Sequence, residues 1–285
     1  MAETHFEVAG MTLSALEKRP TGPVRGIVLA LHGGGYRAGY WDFQASSLLD
    51  IAAARGCLAV AIDRPGYGAA RAFPMPLAQQ ASVVLQLAAD LRAREGGAPL
   101  LLAGHSMGGI LALIAGADPR ATAILAAIDA CGVPLRYQPA MQEALLGWRL
   151  PPGESHFPPL DAEHGRETFF AADGSFDPAA LDHAAAISAP VPGAEMPDAA
   201  NAPQVLPALM RKITVPVRLT FAGKERSSIA DATIAAAARA DLSTSARADV
   251  RFEPGTGHNI SLHHAASAFH HGIVDWLFAN TMDQA

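Results

Sequence analysis

Leu100-Leu101-Leu102-Ala103-Gly104-His105-Ser106-Met107-Gly108-Gly109-Ile110 is the stretch whose reading decides the fold. The apolar run Pro99 to Ala103 enters a Gly-x-Ser-x-Gly turn, and an Ala/Leu/Ile-rich run, Ile110 to Ala117, leaves it. Strand, sharp turn and helix in that order make the context in which a serine hydroxyl stands exposed for attack on a carbonyl. Gly104 and Gly108 leave room where a side chain would meet backbone. The helix start behind Ser106 presents free N–H groups to a reacting oxygen.

Working outward, the flanking sequence alternates between buried strands and helices. Gly26–Leu31 and Cys57–Ile62 are continuous apolar runs of the kind covered on both faces in a parallel sheet. Helices are expected over 43–55, 77–94, 106–117, 228–240 and 263–279, and further strands over 121–128, 215–221 and 248–252. Residues 4–8 and 11–17 read as a hairpin around Ala9-Gly10. The alternation breaks between Pro134 and Pro207, where Pro151, Pro152, Pro158, Pro159, Pro190, Pro192, Pro197 and Pro203 crowd the chain. Helices are expected there only over 139–149 and 178–187. So long an irregular stretch inside an alternating pattern reads as an inserted cap. The expected division is core 1–133, cap 134–207 and core 208–285, with the cap between the sixth and seventh strands of a mostly parallel α/β sheet.

Composition sets the outer limits. Half of the 285 residues are apolar, enough for a large core, and a net charge of −6 gives no footprint for nucleic acid or an anionic membrane. No apolar run reaches the length of a membrane span, and residues 1–10 lack the basic and apolar regions of a signal peptide. Cys57 and Cys131 lie in apolar runs and read as buried free thiols, in keeping with a cytoplasmic setting. Monomer and homodimer both remain open.

Three pieces of chemistry fall at strand ends, where open α/β sheets place their sites. Ser106 is the candidate nucleophile. His258, in Gly255-Thr256-Gly257-His258-Asn259, is the candidate general base, since neutral imidazole takes a proton near pH 7. The acid that orients it is Glu225, on the polar loop after the strand 215–221, or Asp129, closing the strand 121–128; Glu225 is favoured for its placement. The oxyanion donors are the N–H groups of Met107 and of Gly34 in His32-Gly33-Gly34-Gly35. His32 is expected to brace that loop. Tyr36, Trp41, His105, Trp148 and Phe170, with Phe157, Phe169 and Phe176, are expected around an apolar substrate pocket. No cofactor or metal is implied: His263-His264 and His270-His271 are expected as solvated or cap-contacting side chains, since seven residues of helix span ~10 Å.

Gly104-His105-Ser106-Met107-Gly108, His32-Gly33-Gly34-Gly35, Asp63-Arg64-Pro65-Gly66-Tyr67-Gly68 and Gly257-His258-Asn259 together resemble the α/β-hydrolase superfamily, from about Gly26 to the C-terminus. The detail of 31–36 and 257–263 resembles bacterial members linked to polyketide-type natural products and their secondary metabolism. The resemblance implies a serine esterase or thioesterase acting on a small acyl substrate. It departs in one place: many relatives carry Gly-x-x-Asp after the seventh strand, and here Arg226 holds the aspartate position, with Glu225 one residue earlier. Non-hydrolytic relatives, among them lyases, cyclases, epimerases and binding proteins, share the fold. A rival reading takes Gly33-x-Gly35-x-x-x-Gly39 with Asp63 as a dinucleotide fingerprint of an NADP-dependent dehydrogenase, but leaves the serine turn unexplained.

Overall fold

The apolar runs become the middle of one sheet in this computed structural model, which describes residues 2–170 and 174–281. Among the described residues the strands are β1 (Ala2–Val8), β2 (Met11–Lys18), β3 (Gly26–Leu31), β4 (Cys57–Ile62), β5 (Leu100–His105), β6 (Ala127–Cys131), β7 (His156–Phe157), β8 (Val191–Pro192), β9 (Val217–Ala222) and β10 (Ala248–Glu253). Eight form a sheet in the order β1-β2-β4-β3-β5-β6-β9-β10. The pairings from β4 to β10 are parallel, and the N-terminal hairpin adds two antiparallel strands at one edge. Ala9 and Gly10, at φ 50° and 76°, close the hairpin as a two-residue turn. The strands β7 and β8 form a separate short ladder in the insert.

Among the described residues there are ten α-helices: α1 (Leu48–Ala54), α2 (Leu77–Arg94), α3 (Met107–Gly116), α4 (Ala121–Ile124), α5 (Pro139–Gly147), α6 (Ala162–Phe169), α7 (Ala179–Ala186), α8 (Met196–Met210), α9 (Ala232–Asp241) and α10 (Ala266–Ala279). Alternate residues of each central strand enter opposite cores. Ile27, Leu29 and Leu31 pack with α2 and α3, whereas Val28 and Ala30 pack with α1 and α10. Strands so covered have no face left for polar residues, hence their unbroken hydrophobicity. Among the described residues no helix is long and apolar enough to cross a membrane.

Four expectations need correction. Helix 43–55 starts only at Leu48, because Ser47 caps it by accepting the Asp50 N–H. The run 121–128 divides into α4 and β6, so Asp129 lies inside a strand and not at its end. Alanine's helix propensity takes the first half of that run. Helix 228–240 begins only after its true cap, Asp231, which accepts the Ile234 N–H. Finally, α6 and α8 go unread in the sequence. The latter runs through 207 with Pro203 and Pro207 inside it, and its Ala202, Leu206 and Met210 already belong to the main core. The insert therefore rejoins the sheet layers before its last proline.

Candidate active site

The turn between β5 and α3 is strained where the sequence places the serine. Ser106 has φ 53° and ψ −118°, a conformation L residues rarely adopt, of the kind that costs on the order of 1–3 kcal/mol. Packing enforces it. A Cβ on Gly104 would lie 2.2 Å from the Gly108 carbonyl oxygen, and one on Gly108 would lie 2.3 Å from that of Leu31. The Ser106 N–H donates to the Cys131 carbonyl at 2.8 Å, tying the turn to the end of β6.

His258 sits on the loop after β10, held from several sides. The Phe169 carbonyl accepts the Asn259 N–H at 3.0 Å. His263 accepts the Gly257 N–H at Nε2 (3.0 Å) and donates from Nδ1 to the Asn259 carbonyl (2.8 Å). His105, adjacent to Ser106, donates from Nε2 to the His258 carbonyl at 3.0 Å. The residue before the serine thus anchors the backbone of the histidine. The Cys131–Gly132 step completes the link: Cys131 binds the Ser106 N–H, and a Cβ on Gly132 would stand 3.2 Å from His258 Cε1. Among the described residues the Ser106 hydroxyl makes no hydrogen bond; in unliganded sites this contact is often long and tightens once substrate is bound.

His258 Nδ1 lies 2.7 Å from Glu225 Oε2, with both side chains buried. The other carboxylate oxygen accepts the N–H groups of Arg226 and Ser227 and the Ser227 hydroxyl. Burial pushes the Glu225 carboxyl up, but the imidazole and these donors outweigh it and hold it below the usual carboxylate range. A carboxylate on Nδ1 fixes the proton there and leaves Nε2 its lone pair. Asp129 is engaged elsewhere. It faces α10 beside Arg218, its register partner on β9, as a buried ion pair, and Gly272 of α10 leaves space for the guanidinium. The two side chains touch, yet both keep buried polar atoms outside hydrogen-bonding geometry. Of the two acids that the sequence leaves open, Glu225 is bonded to His258 and Asp129 is paired with Arg218.

The glycine loop after β3 runs alongside. His32 is buried, donates from Nδ1 to the Gly33 carbonyl (2.7 Å) and accepts the Arg64 N–H at Nε2 (3.1 Å). Burial, then the neighbouring Arg64 charge, pushes it down to about 3, so it stays neutral and braces the loop. The amides of Gly34 and Met107 donate to no hydrogen bond among the described residues, and both residues line one cavity with Ser106 and His258.

That cavity encloses about 380 Å³ between the sheet and the insert. Its walls are mainly apolar, from Ile110, Met141, Leu145, Trp148, Phe169, Val191 and Met196. Phe169 also lies against the His258 ring, centroids 5.1 Å apart. Of the eight residues expected around the pocket, Trp148 and Phe169 line this cavity and six do not. Tyr36 and Phe170 line an adjoining cavity of about 610 Å³ that shares Gly34 and Phe169 but reaches neither Ser106 nor His258. Although larger, it is lined by none of Ser106, His258 and Glu225. Trp41 is a core residue packed between Tyr40 and His270. His105 lies beneath the site, stacked on Tyr40 and held neutral by burial. Phe176 packs on Phe170 in the core, and Phe157 backs Trp148. Of the histidine pairs, His264 and His271 are exposed and His263 packs on Phe170 and Phe176 of the insert, as expected, whereas His270 is not. His263 and His270 are buried, His270 bonding the Ser46 carbonyl and the Ser261 hydroxyl. Asp63, the acid of the dinucleotide reading, is consumed by Ser14, Arg37 and the Ala38 N–H.

Sequence reasoning missed Asn259 and Glu195. Asn259 donates to the Tyr36 hydroxyl at 2.9 Å, and its position beside His258 was its one signal. Glu195 pairs with Arg64 in full burial, and nothing in its proline-rich surroundings marks it.

Residues 27–270 match the family model described as the alpha/beta hydrolase family. No curated protein matches the chain. Among solved structures, a thermophilic esterase from Thermogutta terrifontis, malate bound, is similar at 18% identity and TM-score 0.70, covering 98% of this chain and 99% of the other. A soluble variant of monoglyceride lipase from Saccharomyces cerevisiae, in complex with a substrate analog, is similar at 18% identity and TM-score 0.73, covering 98% and 95%. A highly thermostable carboxyl esterase from Bacillus coagulans, in complex with glycerol, is similar at 16% and 0.73, covering 98% of each chain. At such identities the likeness establishes a common fold and leaves substrate to the site itself.

Proposed function

Since the chain belongs to the alpha/beta hydrolase family, we propose that it is a serine hydrolase that cleaves a carboxylic ester, lactone or thioester of a small acyl substrate. Ser106 Oγ attacks the carbonyl carbon while His258 Nε2 takes its proton. Glu225 holds the imidazole in the tautomer that leaves Nε2 basic and stabilises the imidazolium. The negative oxygen of the tetrahedral intermediate is met by the N–H groups of Gly34 and Met107. The imidazolium returns its proton to the leaving alcohol or thiol. Water, deprotonated by the same nitrogen, then releases the acid from the serine. The residues needed are all in the chain, so the reaction calls for no metal or cofactor.

The observation that carries this reading is one juxtaposition. A serine strained to φ 53° shares a cavity with a buried histidine bonded at 2.7 Å to a carboxylate. A protein that only bound its ligand would gain nothing from that strain. The apolar walls favour the acyl chain of a small substrate. A series of p-nitrophenyl esters of increasing chain length, assayed beside the matching acyl thioesters, tests it. A maximum at intermediate length supports the reading, and no turnover of any ester or thioester by folded protein refutes it.

A further inference from the structure

Arg64 and Glu195 are both fully buried, an arrangement whose desolvation cost is high unless every polar atom is partnered. Here they are. Arg64 Nη1 donates to Glu195 Oε1 (2.5 Å) and Gln80 Oε1 (2.8 Å), and Nη2 donates to Glu195 Oε2 (3.2 Å). Gln80 Nε2 and the Tyr67 hydroxyl complete the shell of the carboxylate. The remaining guanidinium donors go to the glycine loop: Nε to the His32 carbonyl at 2.9 Å and Nη2 to the Gly33 carbonyl at 3.4 Å. His32 Nδ1 donates to that same Gly33 oxygen, and the Arg64 N–H fixes the required tautomer. The Tyr67 hydroxyl, bonded to Glu195, accepts the Gly35 N–H at 3.3 Å.

The Gly33 carbonyl belongs to the same peptide as the Gly34 N–H. That peptide is trans, so its C=O and N–H point in opposite directions. Two donors hold the carbonyl in the buried interior, and the N–H is turned the other way, on the residue that lines the cavity with Ser106. We infer that the Arg64–Glu195 pair, acting with His32, is a positioning device that holds the Gly33–Gly34 peptide in its oxyanion-binding orientation. Glu195 lies in the insert, just ahead of α8, and Arg64 follows β4. Seating of the insert on the sheet is therefore linked to completion of the site. The guanidinium also polarises the peptide, strengthening its N–H as a donor. This inference rests on the serine-hydrolase reading for its catalytic consequence, but not for its structural one.

Glu195→Gln removes the charge and keeps the shape. Arg64→Met combined with Glu195→Met removes both charges together, which avoids leaving one ion buried alone. Rates are taken per active site titrated with a fluorophosphonate. In each variant kcat is expected to fall about tenfold to a hundredfold, less than loss of an oxyanion donor outright, while KM changes less than about threefold. Affinity for an alkyl trifluoromethyl ketone, which binds as a tetrahedral oxyanion, is expected to fall in step with kcat. A pair that served stability alone would lower Tm and leave kcat per titrated site within twofold, and that result overturns the inference. Amide hydrogen exchange supplies an arm that needs no substrate. Exchange in segment 33–36 is expected to rise at least about tenfold over wild type, with segment 104–110 unchanged. Unaltered exchange in 33–36 overturns the positioning role even if the wild-type protein proves to hydrolyse nothing.

Discussion

Replacing Glu225 by glutamine probes the charge that supports His258 without changing its shape. The consequence follows from the donors around the carboxylate. Its Oε1 accepts three hydrogen bonds, from the Arg226 N–H, the Ser227 N–H and the Ser227 hydroxyl, at 2.8–3.0 Å. The amide oxygen of a glutamine takes that place, which turns its NH2 toward His258 Nδ1. Nδ1 must then accept, the imidazole proton moves to Nε2, and the lone pair that we propose deprotonates Ser106 is gone. The charge is lost as well, from a bond at 2.7 Å between buried groups. A charge-assisted hydrogen bond of that kind contributes about 1.5–3 kcal/mol, or roughly tenfold to 150-fold in rate. A wrong tautomer raises the loss toward about 10⁴. We expect kcat on a p-nitrophenyl ester to fall between about 10² and 10⁴ with KM nearly unchanged, and Tm to move by only a few degrees. Asp129→Asn is the matched control. It leaves Arg218 as a buried charge with a weakened partner, so it is expected to lower stability by up to about 3 kcal/mol and to keep kcat of the folded fraction within about threefold. Full activity in Glu225→Gln beside a dead but folded Asp129→Asn would refute the assignment of the acid.

Three further outcomes follow from the same geometry. Ser106→Gly should abolish turnover while raising stability by about 1 kcal/mol in chemical denaturation, because glycine adopts φ 53° without strain; a loss of stability would mean the turn is not strained. Stability should fall on acidification below about pH 6.5. His32 and His270 are buried neutral, pushed down to about 3 and about 4 by desolvation first of all, so the unfolded chain binds more protons and each contributes its stability fully only above the unfolded pKa. Each such histidine costs about 1.2 kcal/mol between pH 6 and 5, and His270→Gln should flatten the urea-midpoint slope; an unchanged slope contradicts the desolvation argument. Trp148→Ala should widen the cavity wall and shift ester preference toward longer chains by roughly tenfold in relative kcat/KM, and a chain-length profile identical to wild type would place the acyl chain elsewhere.

Much of this architecture was legible because local rules and the fold agreed. Gly26–Leu31, Cys57–Ile62 and Leu77–Arg94 begin and end where their apolar period does. The serine turn was legible because Gly104 and Gly108 are demanded by backbone contacts and leave a sequence mark. What was not legible depended on partners distant in sequence. Asp129 reads as a strand-end acid until Arg218, 89 positions on, is found beside it. Trp41 and His105 read as pocket residues because aromatic type does not tell which side of a loop it faces. The helices α6 and α8 were hidden by proline and glycine, whose propensity cost is overcome by packing; α8, for example, buries Ala202, Leu206 and Met210 in the main core. Glu195 was invisible altogether, since a buried carboxylate is justified only by its surrounding shell.

The account stands or falls on the nucleophilicity of one hydroxyl. Incubation with a fluorophosphonate, followed by digestion and peptide mass mapping, reads it directly. The account predicts a single adduct on Ser106, absent in Ser106→Ala and formed at least about a hundredfold more slowly in His258→Ala. A folded protein that leaves Ser106 unmodified, or labels it equally fast without His258, would contradict it.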